Sequence, residues 1–219
     1  MCGGIFLLQN VVKNISAVIG GARVQDHEYA WTPGLKASSK TSAVLVSTRH
    51  ILTAAALLLS KEIAEQKTRS VNYSKHKPMQ TSQLYVYPET RVKDLRNIPK
   101  LTSSFRVMTI HKDFNPCNNS RDIALLGIST NMLTEAVPIC MPHVNETVPD
   151  NLTATGFGMN RMGDSGGQIF KVNDTEYTLL GISSKGDKCE MDQEDKIALF
   201  EDVRSKIGWI CHNSGICPL

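Results

Sequence analysis

Short runs of β-branched, aliphatic and aromatic residues, separated by polar segments, recur along most of the chain. Four of them occupy residues 42–46, 84–87, 105–110 and 123–126, and two more, residues 169–172 and 177–182, flank the polar Asn173-Asp174-Thr175. Runs of this length between polar turns are typical of β-strands. We therefore predict an all-β fold, without internal repeats or low-complexity segments.

A helical period is clear only near the C-terminus. Val203, Ile207 and Ile210 recur at i, i+4 and i+7, which is the spacing of one face of an α-helix. Asp202 precedes them and is a candidate N-cap. The pattern predicts a terminal helix over about residues 202–211, followed by a tail of residues 212–219.

Composition excludes some classes of protein but does not indicate a particular reaction. The 219 residues, of which 41% are hydrophobic, suffice for one large or two small domains. The net charge of +3 is modest, and the basic residues between positions 61 and 77 are interpreted as a solvated loop rather than a nucleic-acid surface. No apolar run approaches the roughly 20 residues of a membrane-spanning helix. The acidic run at residues 190–195 is also interpreted as a loop, so we predict no metal and no cofactor.

The strongest candidate for chemistry is a glycine-rich segment, Gly163-Asp164-Ser165-Gly166-Gly167. A serine hydroxyl is a poor nucleophile at neutral pH, so it needs a base to take its proton and N–H groups to hold the oxyanion. Glycines allow the backbone to approach a substrate carbonyl closely. Taken alone, however, the segment is equally compatible with a surface turn.

Further stretches accompany this segment in a definite order. They are Val18-Ile19-Gly20-Gly21 with Tyr29-Ala30-Trp31, then Asp122-Ile123-Ala124-Leu125-Leu126, then residues 179–186 and 203–211. Together they resemble the trypsin/chymotrypsin-like serine proteases (peptidase S1 type) from about Val18 to Cys211. The resemblance implies a chymotrypsin-like fold, with two antiparallel β-barrels of the six-stranded type and a C-terminal α-helix.

The resemblance also implies how the chain is divided. Residues 1–17 correspond to a propeptide-like remnant, although Ala17 rather than Lys or Arg precedes Val18. Residues 18–211 correspond to the protease domain, with a first barrel over about 18–138 and a second over about 139–199. A signal peptide is not visible at the N-terminus, so we expect either a start further upstream or a defective gene model.

Roles of individual residues follow from the resemblance. Ser165 corresponds to the nucleophile, Asp122 to the triad carboxylate, and the N–H groups of Gly163 and Ser165 to the oxyanion hole. The amino group freed by cleavage before Val18 would pair with Asp164.

The same comparison assigns a substrate-binding strand. Ser184, Lys185 and Gly186 correspond to the strand that pairs with the substrate backbone. Lys185 departs from the aromatic residue usual at its position, which puts that groove in doubt. The partner, if any, is expected to be a peptide or protein, and the oligomeric state is left open.

The catalytic base is missing from this pattern. Family members read Leu-Thr-Ala-Ala-His-Cys where this chain reads Leu52-Thr53-Ala54-Ala55-Ala56-Leu57, so Ala56 occupies the histidine position. His50, six residues upstream, is interpreted as a half-buried strand residue. The other histidines, at positions 27, 76, 111, 143 and 212, are expected at the surface. Loss of a triad base costs on the order of a million-fold in kcat.

A second deficit lies between Gly158 and Gly163, which only four residues separate. In the family this connection holds several dozen residues, including two barrel strands and the floor of the specificity pocket. A barrel that lacks strands has an open edge, which must be covered or will pair with something else. We therefore expect the second barrel to be truncated.

The cysteines support the same resemblance. The family's disulfide next to the catalytic histidine would join the positions of Thr41 and Leu57, and another would join those of Leu152 and Lys171. The resemblance also implies a bridge between Cys2 and Cys140, and it leaves Cys189 unpaired. The pairing of Cys117, Cys211 and Cys217 is open, since six cysteines allow fifteen connectivities.

Glycosylation acceptor sequences indicate the compartment. Six of the thirteen asparagines begin an Asn-x-Ser/Thr triplet, where about two would be expected by chance. We therefore predict an extracellular glycoprotein with N-linked glycans at Asn14, Asn72, Asn118, Asn145, Asn151 and Asn173.

Three functional hypotheses remain. Ala56 favours a secreted serine protease homologue that is catalytically inactive. The retained Asp122 and the intact segment around Ser165 leave open an active serine-type endopeptidase represented by an incomplete or aberrant gene model. The missing strands leave open a fragment that does not fold stably.

Overall fold

The structure is a computed structural model that describes residues 4–8, 11–14, 24, 28–60, 78–87, 105–129, 136–157, 165–174, 176–186 and 196–217. Its strands are β1 (Gly4–Leu8), β2 (Val11–Asn14), β3 (Gly34–Lys36), β4 (Lys40–Ser42), β5 (Val44–Ser47), β6 (His50–Thr53), β7 (Tyr85–Tyr87), β8 (Phe105–Ile110), β9 (Ala124–Ile128), β10 (Thr153–Thr155), β11 (Gln168–Asn173), β12 (Glu176–Gly186) and β13 (Lys196–Asp202). One α-helix, α1 (Ile207–Ser214), follows them. Within this part of the chain the predicted all-β fold with a C-terminal helix is confirmed.

The first half of the chain forms two small antiparallel sheets. One has the order β4-β3-β7 and the other the order β5-β6-β9-β8. The run predicted at residues 42–46 is shared between them, because the pairing changes at Ala43, whose N–H donates to the carbonyl of Pro33 at 3.2 Å. Among the described strands neither sheet closes into a barrel.

The second half forms a six-stranded sheet with the order β10-β11-β12-β13-β1-β2. Its own strands, β10 to β13, pair antiparallel with one another. The N-terminal hairpin, defined as β1 and β2, adds to this sheet beside β13, and β1 runs parallel to β13. The predicted propeptide-like segment thus contributes two strands to the sheet.

The C-terminal helix begins later than the hydrophobic period suggests. A 3₁₀ turn over Arg204–Lys206 precedes α1, and the Oδ1 atom of Asp202 accepts the N–H of Arg204 at 3.0 Å. Gly215 ends the helix in the left-handed conformation, and its N–H donates to the carbonyl of Cys211 at 2.8 Å. A disulfide between Cys211 and Cys217 closes this end, which decides a pairing that the sequence left open.

One hydrophobic core joins both halves of the chain. Leu52 and Leu126 of the first half pack in the same cluster as Phe170 and Leu179 of the second and Ile210 of α1. An aromatic group lies within this core, since the ring of Trp31 is 5.5 Å from that of Phe170 and 4.7 Å from that of Tyr177. The residues predicted to form a site are therefore held between two packed halves.

Candidate active site

Asp122 is a fully buried carboxylate two residues before β9. Its Oδ1 atom accepts the backbone N–H of Ala56 at 2.7 Å, and its Oδ2 atom accepts the hydroxyl of Ser184 at 2.5 Å. A buried charge is costly unless hydrogen bonds compensate it, and these donors supply two. The carboxylate is thereby tied both to the loop after β6 and to β12.

The turn before Asp122 determines its position. Asn119 and Arg121 adopt φ values of 57° and 54°, and the N–H of Ile123 donates to the carbonyl of Arg121 at 2.9 Å. Residues other than glycine rarely adopt this left-handed conformation outside tight turns. The turn passes directly into the buried residues of β9, so the carboxylate is fixed by the strand that follows it.

Position 56 carries no group that can accept a proton. Ala56 lies in a 3₁₀ turn over Ala55–Leu58 that directly follows β6, and it is half-buried. This turn contributes the backbone N–H of Ala56 to Asp122. An alanine methyl group can neither accept the proton of Ser165 nor donate a hydrogen bond to the carboxylate of Asp122.

Ser165 lies close to the same serine that holds Asp122. Its hydroxyl donates to the carbonyl of Ser184 at 3.4 Å, and its own carbonyl accepts the hydroxyl of Thr41. A peptide carbonyl does not remove a proton from a hydroxyl at neutral pH. The structure therefore brings Ser165, Asp122 and Ser184 together, with no base in contact with the hydroxyl among the described residues.

The loop after Ser165 requires glycine. Gly166 has a φ of +83°, and a Cβ atom there would lie 2.3 Å from the carbonyl oxygen of Ser42 and 2.6 Å from Oγ1 of Thr53. The N–H of Gly166 donates to the carbonyl of Ser183 at 2.8 Å, and the N–H of Ser183 donates to that of Gly167 at 2.7 Å. These bonds hold the serine loop against β12.

The predicted substrate-binding strand forms the last part of β12. Lys185 is exposed, whereas Ser184 is buried by its contact with Asp122. β11 pairs with β12 only as far as Ile182, and beyond that residue the described strands pair β12 with β13 alone.

Several predicted site residues lie outside the described residues. They are Gly163 of the oxyanion hole, the activation pair Val18 and Asp164, and the sequon at Asn72. Their roles stay predictions.

Two histidines, His50 and His111, lie near the core. The Nδ1 atom of His50, which is half-buried in β6 as predicted, is 2.8 Å from the hydroxyl of Ser47. The prediction of a surface position is wrong for His111, because its ring is buried and lies 5.2 Å from that of Trp209. The Nδ1 atom of His111 accepts the N–H of Asp113 at 3.3 Å. The surface prediction was based on the polar residues next to His111 in the sequence, which do not indicate that α1 covers the end of β8.

Burial lowers the pKa of both these histidines. For His50, burial is the cause of the lowered pKa. For His111, the positive charge of Lys206 lowers the pKa further, and the charges of Asp113 and Glu201 raise it by less. Both rings are thus biased towards the neutral form, which suits a side chain packed in a core.

The positions of the two lost disulfides carry other contacts. Thr41 bonds to Ser165, and Leu57 packs near Gly166. Thr153 pairs with Phe170, which places Leu152 next to Lys171 across the sheet, and Lys171 forms an ion pair with Glu146 at 2.5 Å. Both pairs of positions are therefore filled by side chains that contact other groups.

Cys140 has a free thiol in the structure, and its predicted partner Cys2 lies outside the described residues. The bridge between them therefore stays a prediction.

The model of the trypsin family matches residues 18–162, which is more than half of the chain. The chain belongs to the trypsin family. The match ends shortly before Ser165, so the serine loop and the rest of the C-terminal sheet lie beyond it. A search of curated proteins found no significant match. This trypsin-like serine protease homologue has no helix, among its described residues, that is long and apolar enough to span a membrane.

Proposed function

We propose that this trypsin-family chain is a secreted protein that does not hydrolyse peptides and that acts by binding a peptide or protein. The observation that carries the proposal is the side chain next to Asp122. The residue whose N–H bonds to Oδ1 of Asp122 is Ala56, which has a methyl group at the position where the resemblance implies an imidazole.

The state of Ser165 supports the same conclusion. Its hydroxyl donates to a carbonyl oxygen rather than to a base, and its loop remains anchored through Gly166 to β12. If hydrolysis occurred, Ser165 would be the nucleophile, Asp122 the orienting carboxylate, and the N–H groups of Gly163 and Ser165 the oxyanion donors. Without a base these groups retain a small part of the acceleration, roughly a thousand-fold over water.

The end of β12 is the proposed binding strand. Ser184, Lys185 and Gly186 lie beyond the residues that pair with β11, so no described strand occupies that side of their backbone, where an extended peptide could add. Strand addition uses main-chain hydrogen bonds for affinity and side-chain contacts for specificity. The exposed Lys185 would favour a ligand with an acidic side chain at the facing position.

Secretion and glycosylation are supported by the surface. The sequons at Asn118, Asn145, Asn151 and Asn173 all lie on exposed asparagines, as oligosaccharide transfer requires. The disulfide between Cys211 and Cys217 suits an oxidising compartment.

Active-site labelling tests the proposal. The protein is secreted from cultured cells, checked for N-glycans by glycosidase digestion, and treated with a fluorophosphonate probe beside Ala56→His and Ser165→Ala variants. We expect wild-type labelling to equal that of Ser165→Ala, because no base activates the hydroxyl. Labelling that appears only in Ala56→His would identify the base as the missing element. Strong labelling of wild type at Ser165 would contradict the proposal.

A further inference from the structure

β13 would be an edge strand if the C-terminal sheet consisted only of β10 to β13. The described strand order places β10 beside β11 and β12 beside β13, so among β10 to β13 only β12 pairs with β13. An edge strand exposes a row of unpaired N–H and C=O groups, which readily pair with another strand. The edge of β13 therefore needs a further strand, called the cover below, to pair with its backbone groups.

The N-terminal hairpin occupies this edge. β1 pairs with β13 along its whole length, from Gly4 opposite Lys196 to Leu8 opposite Phe200. β2 then pairs antiparallel with β1, from Leu8 opposite Val11 to Ile5 opposite Asn14. The hairpin thus satisfies the backbone groups of β13 and extends the sheet by two strands.

The direction of pairing makes this an addition from a distant part of the chain. β1 and β13 are parallel, whereas the other described pairs of this sheet are antiparallel. Parallel strands cannot be joined by a tight turn, and nearly two hundred residues separate these two along the chain. The edge of β13 therefore acts as a docking site for a remote strand.

We propose that the N-terminal hairpin, residues 4–8 and 11–14, is an integral part of the folded domain, a strand cover for β13 and not a removable propeptide. The cover adds two strands to the half in which the resemblance leads us to expect two fewer, because only four residues separate Gly158 from Gly163. Cleavage before Val18 would then leave the hairpin bound to the sheet by its backbone hydrogen bonds.

Cysteine cross-linking tests the register in the full-length chain. Cα atoms of neighbouring strands lie about 4.8 Å apart, a distance that a disulfide can span. The test variant carries Phe6→Cys and Ala198→Cys, which replace residues that face each other. The control variant carries Leu7→Cys and Ala198→Cys, a pair shifted by one residue. Both variants also carry Cys2→Ser, which removes a competing thiol. We expect mass spectrometry to find the oxidised bridge at least about tenfold more often in the first pair than in the control.

The same experiment tests whether the cover comes from the same molecule. Isotope-labelled and unlabelled chains are mixed before folding, and each cross-linked peptide is assigned to one chain or to two. Bridges within single chains support the proposal. Bridges between chains, or equal yields for the two cysteine pairs, would overturn it.

Hydrogen exchange supplies a measurement that does not depend on cysteine chemistry. Phe6→Pro removes a backbone N–H from a central strand, whereas Phe6→Ala keeps it, so the two variants separate backbone pairing from side-chain effects. We expect amides of β13 to exchange at least about tenfold faster in Phe6→Pro than in Phe6→Ala, while those of β9 keep their protection. If the amides of β13 exchange equally fast in Phe6→Pro and Phe6→Ala, the proposed pairing of the hairpin with β13 is refuted. Unchanged protection of the β9 amides shows that the Phe6→Pro variant has folded.

Discussion

Gly166 lies at the closest contact between the serine loop and the first half of the chain. With a φ of +83°, it leaves room for the carbonyl oxygen of Ser42 and the hydroxyl of Thr53 where a side chain would otherwise lie. The hydroxyl of Thr53 itself donates to the carbonyl of Ser42 at 3.0 Å. A glycine here is therefore required by packing, whether or not Ser165 catalyses a reaction. This gives the loop a structural reason for its glycine beside the alanine at position 56.

Replacement of Gly166 by alanine should destabilise the protein strongly. The new Cβ would lie 2.3 Å from a backbone oxygen, and the left-handed φ adds strain, so we expect a loss of about 2–4 kcal/mol in the free energy of unfolding. Gly208 is the matched control, because it is exposed in α1 and a Cβ there meets nothing within 4 Å. Gly208→Ala should stabilise by about 0.5–1 kcal/mol. Denaturant unfolding measures both; a neutral Gly166→Ala variant would contradict the packing argument.

At the scale of single elements, α1 contacts the end of β8 through the rings of His111 and Trp209, which are tilted by 46° and have centroids 5.2 Å apart. Charges surround this contact: Lys206 forms an ion pair at 2.8 Å with Glu201, which is almost fully buried. A protonated His111 would add a second positive charge beside Lys206 within a poorly hydrated contact. The docking of the helix therefore depends on the neutral ring.

Acidification should weaken this contact. The folded state lowers the pKa of His111 and His50 below 6.5, so it binds fewer protons than the unfolded state. The contribution of these two histidines to the free energy of unfolding is then fully present above about pH 6.5, and it decreases as the pH falls below that value. His111→Phe keeps a ring on Trp209 but does not titrate. We expect the fall in Tm between pH 7 and 5.5 to be smaller in His111→Phe, with a remainder due to His50; an identical fall would exclude His111.

A second ionic contact acts in a different pH range, so it does not obscure this effect. The hydrogen bond from Lys171 lowers the pKa of Glu146 below 4.5. Its contribution is therefore present above about pH 4.5 and is lost as pH falls below that value.

The runs of apolar residues predicted about half of the described strands, where each run was long enough to be recognised. The run at residues 105–110 coincides with β8. Contacts between distant elements were harder to predict. The burial of His111 depends on α1, which lies about a hundred residues further along the chain, and nothing in its neighbouring sequence reports that contact.

The candidate site was predicted on different grounds. Asp122, Ala56 and Ser165 were identified by resemblance to a family and not by periodicity, and the structure places them around Ser184. The pairing of β1 with β13 was not foreseen, since a resemblance to relatives cannot report how one chain covers an edge of its own sheet.

At the scale of the whole molecule, the two halves share one core. Tyr29 and Trp31 of the first half contact Phe170 and Tyr177 of the second, with ring centroids 4.7 to 6.5 Å apart. The side chain of Gln168 also donates to hydroxyls of Thr32 and Thr155, which links the halves through buried polar groups. Neither half can lose its packing without exposing apolar surface of the other.

A single cooperative unfolding transition should follow from this shared core. Phe170 is fully buried and touches Tyr29, Trp31 and Tyr177, so Phe170→Ala should cost about 3–5 kcal/mol. Because the cavity lies between the halves, far-UV circular dichroism and tryptophan fluorescence should shift together to one lower denaturant midpoint. Val107→Ala is the control, since Val107 is 54% exposed and its truncation should change stability by less than about 0.5 kcal/mol. Two separated transitions in Phe170→Ala would show that the halves fold independently. The absence of any cooperative transition in the wild-type protein would instead favour a chain that does not fold stably.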